Sequence, residues 1–394
     1  MSANRPQRFN ALGQSLWLDG LCRGQLRPGG ELQQLLEQAG IRGVATHLAV
    51  LERAICESRD YDEAIGRLAR QSKSAEEMYE TLLCEDVGRA ADILRPLYER
   101  TEARDGFACL PVAPTLAGDT KGTVAESRRL WARLHRPNIM VLIPGTGEGL
   151  PAIQQLVSEG INVNVTLLCS MPRYEEVAEA YVAGLQRRLA RGESVAQVAS
   201  VASFCLRRID GLFDRLLEQL IRADGPKAEL ARQLQGQVAI ALARVAYQSY
   251  EALTTAPGWQ KLASQGARPQ RLLWANLGRT HLGDRDVEYV DALIGPDTIS
   301  SLSRTTLEAY RAGDRPRARL VCEVAAAERW LRQLREVRID LTAVSRQLED
   351  QGVRELQLPF HRLLATLEKK RLAATELAHG RTAKSPVREL VAEH

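Results

Sequence analysis

Between residue 14 and about residue 303, short apolar runs alternate with longer helical stretches, and the alternation repeats eight times. The runs are Ser15–Leu21, Gly43–Val50, Cys109–Pro114, Asn138–Pro144, Ile161–Cys169, Val198–Phe204, Leu272–Leu277 and Thr298–Leu302. Most are rich in apolar residues, several of them β-branched, as expected of strands covered on both faces. Eight such units predict a closed parallel barrel of class α/β, the (β/α)8 or TIM barrel. A doubly wound sheet is the competing arrangement, but no G-x-G-x-x-G follows an early strand.

Ala125–Leu134, Tyr174–Ala190 and Gly211–Arg222 carry helical patterns, and Thr123-Val-Ala-Glu126 reads as a capping box. Residues 51–104 and 206–270 are helical and longer than a crossover needs. Beyond residue 304 the chain reads as helices to about 376, including Ala326–Val337 and Arg354–Leu372. These additions predict a helical cover on one barrel spanning 10–376, not a second domain. Gly380–His394 is polar, contains Pro386 and predicts a flexible tail.

Composition excludes several function classes. Hydrophobic residues make up 45% of the chain and charged residues 26%, as in a soluble enzyme. The net charge is only +4, and no basic block interleaved with aromatics suggests a nucleic-acid partner. No apolar run approaches the roughly 18 residues of a membrane helix. Met1–Phe9 is polar and lacks the apolar stretch of a secretion signal, so a cytoplasmic chain is expected. Cys22, Cys56, Cys84, Cys109, Cys169, Cys205 and Cys322 are odd in number and form no C-x-x-C pair. Free thiols are expected, with no metal site and no cofactor. Cys169 and Cys205 lie near strand ends, where a core role is the expectation. Lysine is scarce: Lys73, Lys121, Lys227, Lys261, Lys369, Lys370 and Lys384.

Four segments then narrow the reading. They are Ser15-Leu-Trp-Leu-Asp19, Glu159-Gly-Ile-Asn-Val-Asn-Val-Thr-Leu-Leu168, Val198-Ala-Ser-Val-Ala-Ser203 followed by Arg208, and Tyr289-Val-Asp-Ala-Leu-Ile-Gly-Pro-Asp-Thr298. From about residue 12 to residue 375 the chain resembles the transaldolase family, in its longer bacterial branch. The resemblance implies a site at the carboxyl ends of the strands. It implies a fourth-strand lysine that forms a Schiff base with a ketose phosphate, and a first-strand aspartate that moves protons. A third-strand glutamate and a fifth-strand threonine hold a water, while a serine and arginines hold the phosphate. On this reading Asp19, Asn164 and Thr166 are catalytic candidates. Ser203 and Arg208 are candidates for binding the substrate.

The chain departs from the pattern at two linked positions. The fourth strand reads Asn138-Ile-Met-Val-Leu-Ile-Pro-Gly-Thr146, which puts Leu142 at the lysine position. The third reads Cys109-Leu-Pro-Val-Ala-Pro114, which puts Pro111 at the glutamate position. A Schiff base needs an amine, and leucine has no lone pair to attack a carbonyl. Ordinary transaldolase chemistry is therefore not expected. On the second strand Thr46-His47-Leu48 stands where the family has serine-asparagine-proline, and an imidazole beside Asp19 can move protons near neutral pH. On the seventh, Asn276 stands where a serine is common, and Arg279 offers a further guanidinium for substrate. His281, in the loop beyond, reads as an ordinary loop residue.

The leading expectation is a repurposed enzyme that binds a small phosphorylated sugar or polyol and uses Asp19 with His47. Two alternatives stay open. One is a non-catalytic barrel that serves as a binding or partner subunit. The other is a transaldolase with a displaced lysine, for which Lys121 in the loop after the third strand is the candidate. A homo-oligomer or a protein partner is compatible with either.

Overall fold

The computed structural model describes residues 7–277, 287–311 and 316–382. Within them eight parallel strands pair in sequence order and close into a barrel: β1 Ser15–Asp19, β2 Ile41–Ala45, β3 Phe107–Pro111, β4 Ile139–Pro144, β5 Val163–Leu168, β6 Ser200–Cys205, β7 Arg271–Ala275 and β8 Ile299–Leu302. Alternate side chains point inward and outward. On β1, Leu16 and Leu18 join the layer between sheet and helices, whereas Trp17 joins the barrel interior with Phe107, Met140, Val201, Leu273 and Ile299.

Two strands sit earlier than the apolar runs suggest. Expected at Gly43–Val50, β2 ends at Ala45, because Leu48, Leu51 and Ile55 recur at helical spacing and form the buried face of the helix Leu48–Glu57. Expected at Cys109–Pro114, β3 ends at Pro111, and Pro114 opens a 3-10 turn at Pro114–Leu116. A proline cannot donate to a strand ladder, so the end of β3 is where it is tolerated.

The capping box is likewise displaced. The helix runs Thr120–Leu134 and is capped by Asp119, whose carboxylate accepts the Gly122 N–H at 3.0 Å. Thr123 instead donates to the Leu116 carbonyl, and Glu126 accepts from the Ala113 N–H. The pair ties down the β3 exit rather than the helix start.

The long insertions are helical as expected. Residues 48–100 form the helices Leu48–Glu57, Asp62–Arg70 and Ala75–Arg100, and the region after β6 holds Leu206–Arg222, Ala228–Leu234, Val238–Thr255 and Pro257–Ala263. The C-terminal helix Leu341–Thr382 packs on the first three and on Leu206–Arg222, and it touches β5. It thereby crosses the carboxyl ends of the strands. The backbone is helical through Thr382, so the first residues of the expected tail belong to this helix; 383–394 lie outside the described residues. Among the described residues no helix is long and apolar enough to cross a membrane.

At the amino ends of the strands large side chains and a buried ion pair form the barrel floor, beside an open cavity of 480 Å³ lined by Trp17, Phe107, Met140, Val201 and Arg271. Trp17 fills the interior so tightly that a Cβ at Gly43 would lie 2.5 Å from its Cε2, and glycine is required there for space. Beneath it Arg271 binds Asp105 at 3.1 Å and the Ser15 hydroxyl at 2.7 Å, and it donates to the carbonyls of Arg104, Asp297 and Thr298. Every guanidinium nitrogen is used, which is what lets a charge sit inside a barrel floor.

Candidate active site

At the opposite end the carboxyl ends of the strands surround a cavity of 130 Å³. Its lining includes Asp19 from β1, His47 after β2, Pro111 from β3, Leu142 from β4, Asn164 and Thr166 from β5, Ser203 from β6 and Asn276 after β7. Arg208, in the first turn of the helix after β6, also reaches it. All the site residues expected from sequence thus converge, except Arg279, which with His281 lies outside the described residues.

Pro111 and Leu142 are partners in register on adjacent strands, and Leu142 is in turn in register with Asn164. The two positions that the sequence reading sets at the lysine and the glutamate are therefore neighbours. Leu142 packs on the apolar cluster that fills the barrel and faces the cavity with its partly exposed side. Among the described residues no lysine lines this cavity. Lys121 is exposed in the first turn of the helix Thr120–Leu134, not in the preceding loop, and is not part of the lining.

Polar groups deep in the cavity are ordered by one another. Ser203 donates to Asn164 Oδ1 at 2.7 Å, and the Asn164 amide donates to Cys109 Sγ at 3.2 Å. Asn164, 1% exposed, is thus held by both of its polar atoms. Burial pushes the Cys109 thiol up to about 12, so it serves as a neutral acceptor here. Thr166 lies within hydrogen-bonding reach of the Cys205 thiol, which burial also pushes above its ordinary value. Cys169 and Cys205 are buried neutral thiols, in keeping with a core role.

Asp19 and His47 differ from this group. Burial pushes the Asp19 carboxyl above the usual aspartate value, and nearby His47 and Arg207 oppose the shift in part. No hydrogen bond joins Asp19 to His47, and buried His47 Nδ1 has no hydrogen-bond partner among the described residues. Ser301 on β8 adds a third such group: it lines the cavity, is 2% exposed, and its hydroxyl is unpartnered. Asn276 sits in the left-handed region with φ +57°, which asparagine tolerates better than most side chains, and that backbone lets it reach the cavity.

The cavity is roofed by the C-terminal helix through Glu355, Leu356 and Pro359. Glu355 forms an ion pair with Arg208 at 2.6 Å. Arg207, Ser301 and Glu355 were not singled out by sequence. Ser301 lies an even number of residues from inward Ile299, so strand alternation was a usable signal. Glu355 had none, since its place depends on how a distant helix docks. Among the described residues no cluster of three or more His, Cys, Asp or Glu side chains could hold a metal ion.

Comparison with known proteins agrees with the barrel fold. Residues 16–367 match the family described as Transaldolase/Fructose-6-phosphate aldolase. A protein named Transaldolase 2 from Nostoc sp. strain PCC 7120 is 40% identical over 375 residues, covering 94% of this chain and 98% of that protein. A protein named Transaldolase from Trichodesmium erythraeum is 39% identical over 375 residues, with the same two coverages. Another of that name from Thiobacillus denitrificans is 40% identical over 364 residues, 92% of this chain and 99% of that protein.

Proposed function

The chain belongs to the transaldolase/fructose-6-phosphate aldolase family, and from that premise we propose that its barrel mouth binds a small phosphorylated sugar or related polyol without forming a Schiff base. The observation that carries this reading is the register of Pro111 beside Leu142 in a cavity that keeps Asp19, Asn164, Thr166, Ser203 and Arg208. A chain with Leu142 at that position has no amine to offer the carbonyl carbon.

Binding falls to Arg208 and Ser203. A guanidinium presents paired donors that match two phosphate oxygens. Chemistry falls to Asp19 and His47. A carboxyl raised by burial holds and releases a proton closer to neutrality than an ordinary aspartate does, which suits general acid–base work. His47 Nδ1 and Ser301 Oγ are free to accept or donate to a ligand's hydroxyls. In this reading the protein belongs to carbohydrate metabolism but has been turned from carbon–carbon transfer to another reaction of the same ligand class. A second reading, a binding subunit without catalysis, draws support from the missing hydrogen bond between Asp19 and His47.

Thermal unfolding tests the binding claim. Inorganic phosphate and fructose 6-phosphate are expected to raise Tm, by an increment that grows with ligand concentration. Arg208→Ala is expected to remove the increment. Equal stabilisation of wild type and Arg208→Ala would show that this cavity is not the phosphate site.

A further inference from the structure

The C-terminal helix meets the cavity at the place where a ligand's phosphate would bind. Glu355 comes from 147 positions further along the chain and sets its Oε2 2.6 Å from Arg208 Nη1. A carboxylate and a phosphate compete for the same face of a guanidinium. The Arg208 side chain is 19% exposed and that of Glu355 59%, so the arginine is fixed in the wall while its partner is reachable by water.

The space enclosed under the helix points the same way. Ligand pockets for small molecules usually span about 300–1,000 Å³. The cavity holds 130 Å³, and Glu355, Leu356 and Pro359 form part of its boundary. Arg208, Glu355 and Pro359 also line an adjoining open cavity of 590 Å³, so the ion pair stands at the boundary between a small deep space and a larger outer one.

The helix lacks one backbone hydrogen bond at this point. Pro359 stands inside it and has no N–H. The missing hydrogen bond is the one that would run to the carbonyl four residues earlier, which is that of Glu355. One turn towards the N-terminus, Gly352 lies against the barrel, where a Cβ would stand 3.0 Å from Leu167 Cδ2 and 3.6 Å from Arg208 Nη1. The helix is thus seated closely at Gly352 and one hydrogen bond short between Glu355 and Pro359.

We propose that Glu355 is an internal stand-in for the ligand's phosphate: it holds Arg208 and divides the deep cavity from the outer one until a phosphate displaces it and the segment around Glu355–Pro359 lifts. This rests on the reading of Arg208 as the phosphate site. Glu355 then acts as a specificity residue. A ligand must out-compete a tethered carboxylate, which a dianionic phosphate does and a neutral polyol or a monocarboxylate does not.

The test is calorimetric titration of inorganic phosphate into wild type, Glu355→Gln and Arg208→Ala, with a melting curve to check that each is folded. Glu355→Gln is expected to bind phosphate about twofold to fivefold more tightly, the range set by an exposed ion pair. In wild type, saturating phosphate is expected to speed amide exchange across residues 352–360. Unchanged or weaker binding by Glu355→Gln, with binding lost in Arg208→Ala, would overturn the displacement and leave the phosphate site standing. Exchange across 352–360 that does not change with phosphate would also overturn it. Undiminished binding by Arg208→Ala would overturn the phosphate site itself, and the displacement with it.

Discussion

At the amino ends of the strands, Arg271 spends all its donors on Asp105, Ser15 and three carbonyls, and Asp105 accepts from Ser15, Arg42 and Arg271. At the carboxyl ends, Asp19, His47 and Ser301 line a cavity, and buried His47 Nδ1 and Ser301 Oγ have no hydrogen-bond partner among the described residues. Both ends bury polar groups in one barrel. An unpaired buried polar group costs about 1–3 kcal/mol. The charged groups of the floor avoid that cost, although the Trp17 indole N–H and the side-chain oxygens of Gln14, Asn138 and Gln270 at the strand starts have no partner among the described residues, while at the mouth His47 Nδ1 and Ser301 Oγ bear it. A surface that remains unsatisfied in the folded chain is one that a ligand can satisfy, and this contrast is the physical reason to assign stability to the floor and binding to the mouth.

The largest effect should come from the floor. Arg271→Ala leaves Asp105 buried with its strongest partner gone. Breaking a buried pair from one side costs about 3–5 kcal/mol, and a drop of that size in unfolding free energy is expected in a urea titration. A drop below about 1 kcal/mol would mean that water or Arg42 replaces the guanidinium, and that the floor is not the rigid end.

The mouth should respond in the opposite direction. Asp19 is more easily protonated in the folded chain than in the unfolded one. The folded state therefore binds more protons as pH rises through this interval, and stability falls as the carboxylate ionises. Asp19→Asn removes the ionisation. It should raise stability at pH 7 by about 1 kcal/mol, the low end for an unpaired buried group. The gain should vanish near and below the ordinary aspartate value of about 3.9, where both states are protonated. A variant less stable than wild type at pH 7 would place Asp19 among the paired groups and erase the contrast.

Much of this contrast could be read from sequence. The eight apolar runs placed the barrel because parallel strands covered on both faces must be apolar, and they missed strand limits where a helix began with its own apolar residues, as at Leu48–Val50, and at the starts of β2 and β3. Asp19, Asn164, Thr166 and Ser203 were legible because they fall at strand positions that alternate inward and match family segments. The held state of Asn164 between Ser203 and Cys109 was not, since it depends on barrel curvature bringing β3, β5 and β6 together across the interior. The floor was missed as well. Arg271 and Asp105 are ordinary charged residues in the sequence, and only closure of β7 and β8 against β1 buries them. Glu355 was missed for a related reason: it reads as a solvent-facing glutamate in a helical pattern, and only the crossing of that helix over the mouth brings it to Arg208.

The central claim is that the mouth kept its binding groups and gave up the amine. Borohydride reduction in the presence of fructose 6-phosphate, followed by peptide mass spectrometry, tests it most directly, because any imine becomes a stable secondary amine on the residue that formed it. The account predicts no adduct on Lys73, Lys121, Lys227, Lys261, Lys369, Lys370 or Lys384, under conditions where the same sugar phosphate raises Tm. An adduct on any of them, and on Lys121 above all, would contradict it and return the chain to Schiff-base chemistry through a displaced lysine.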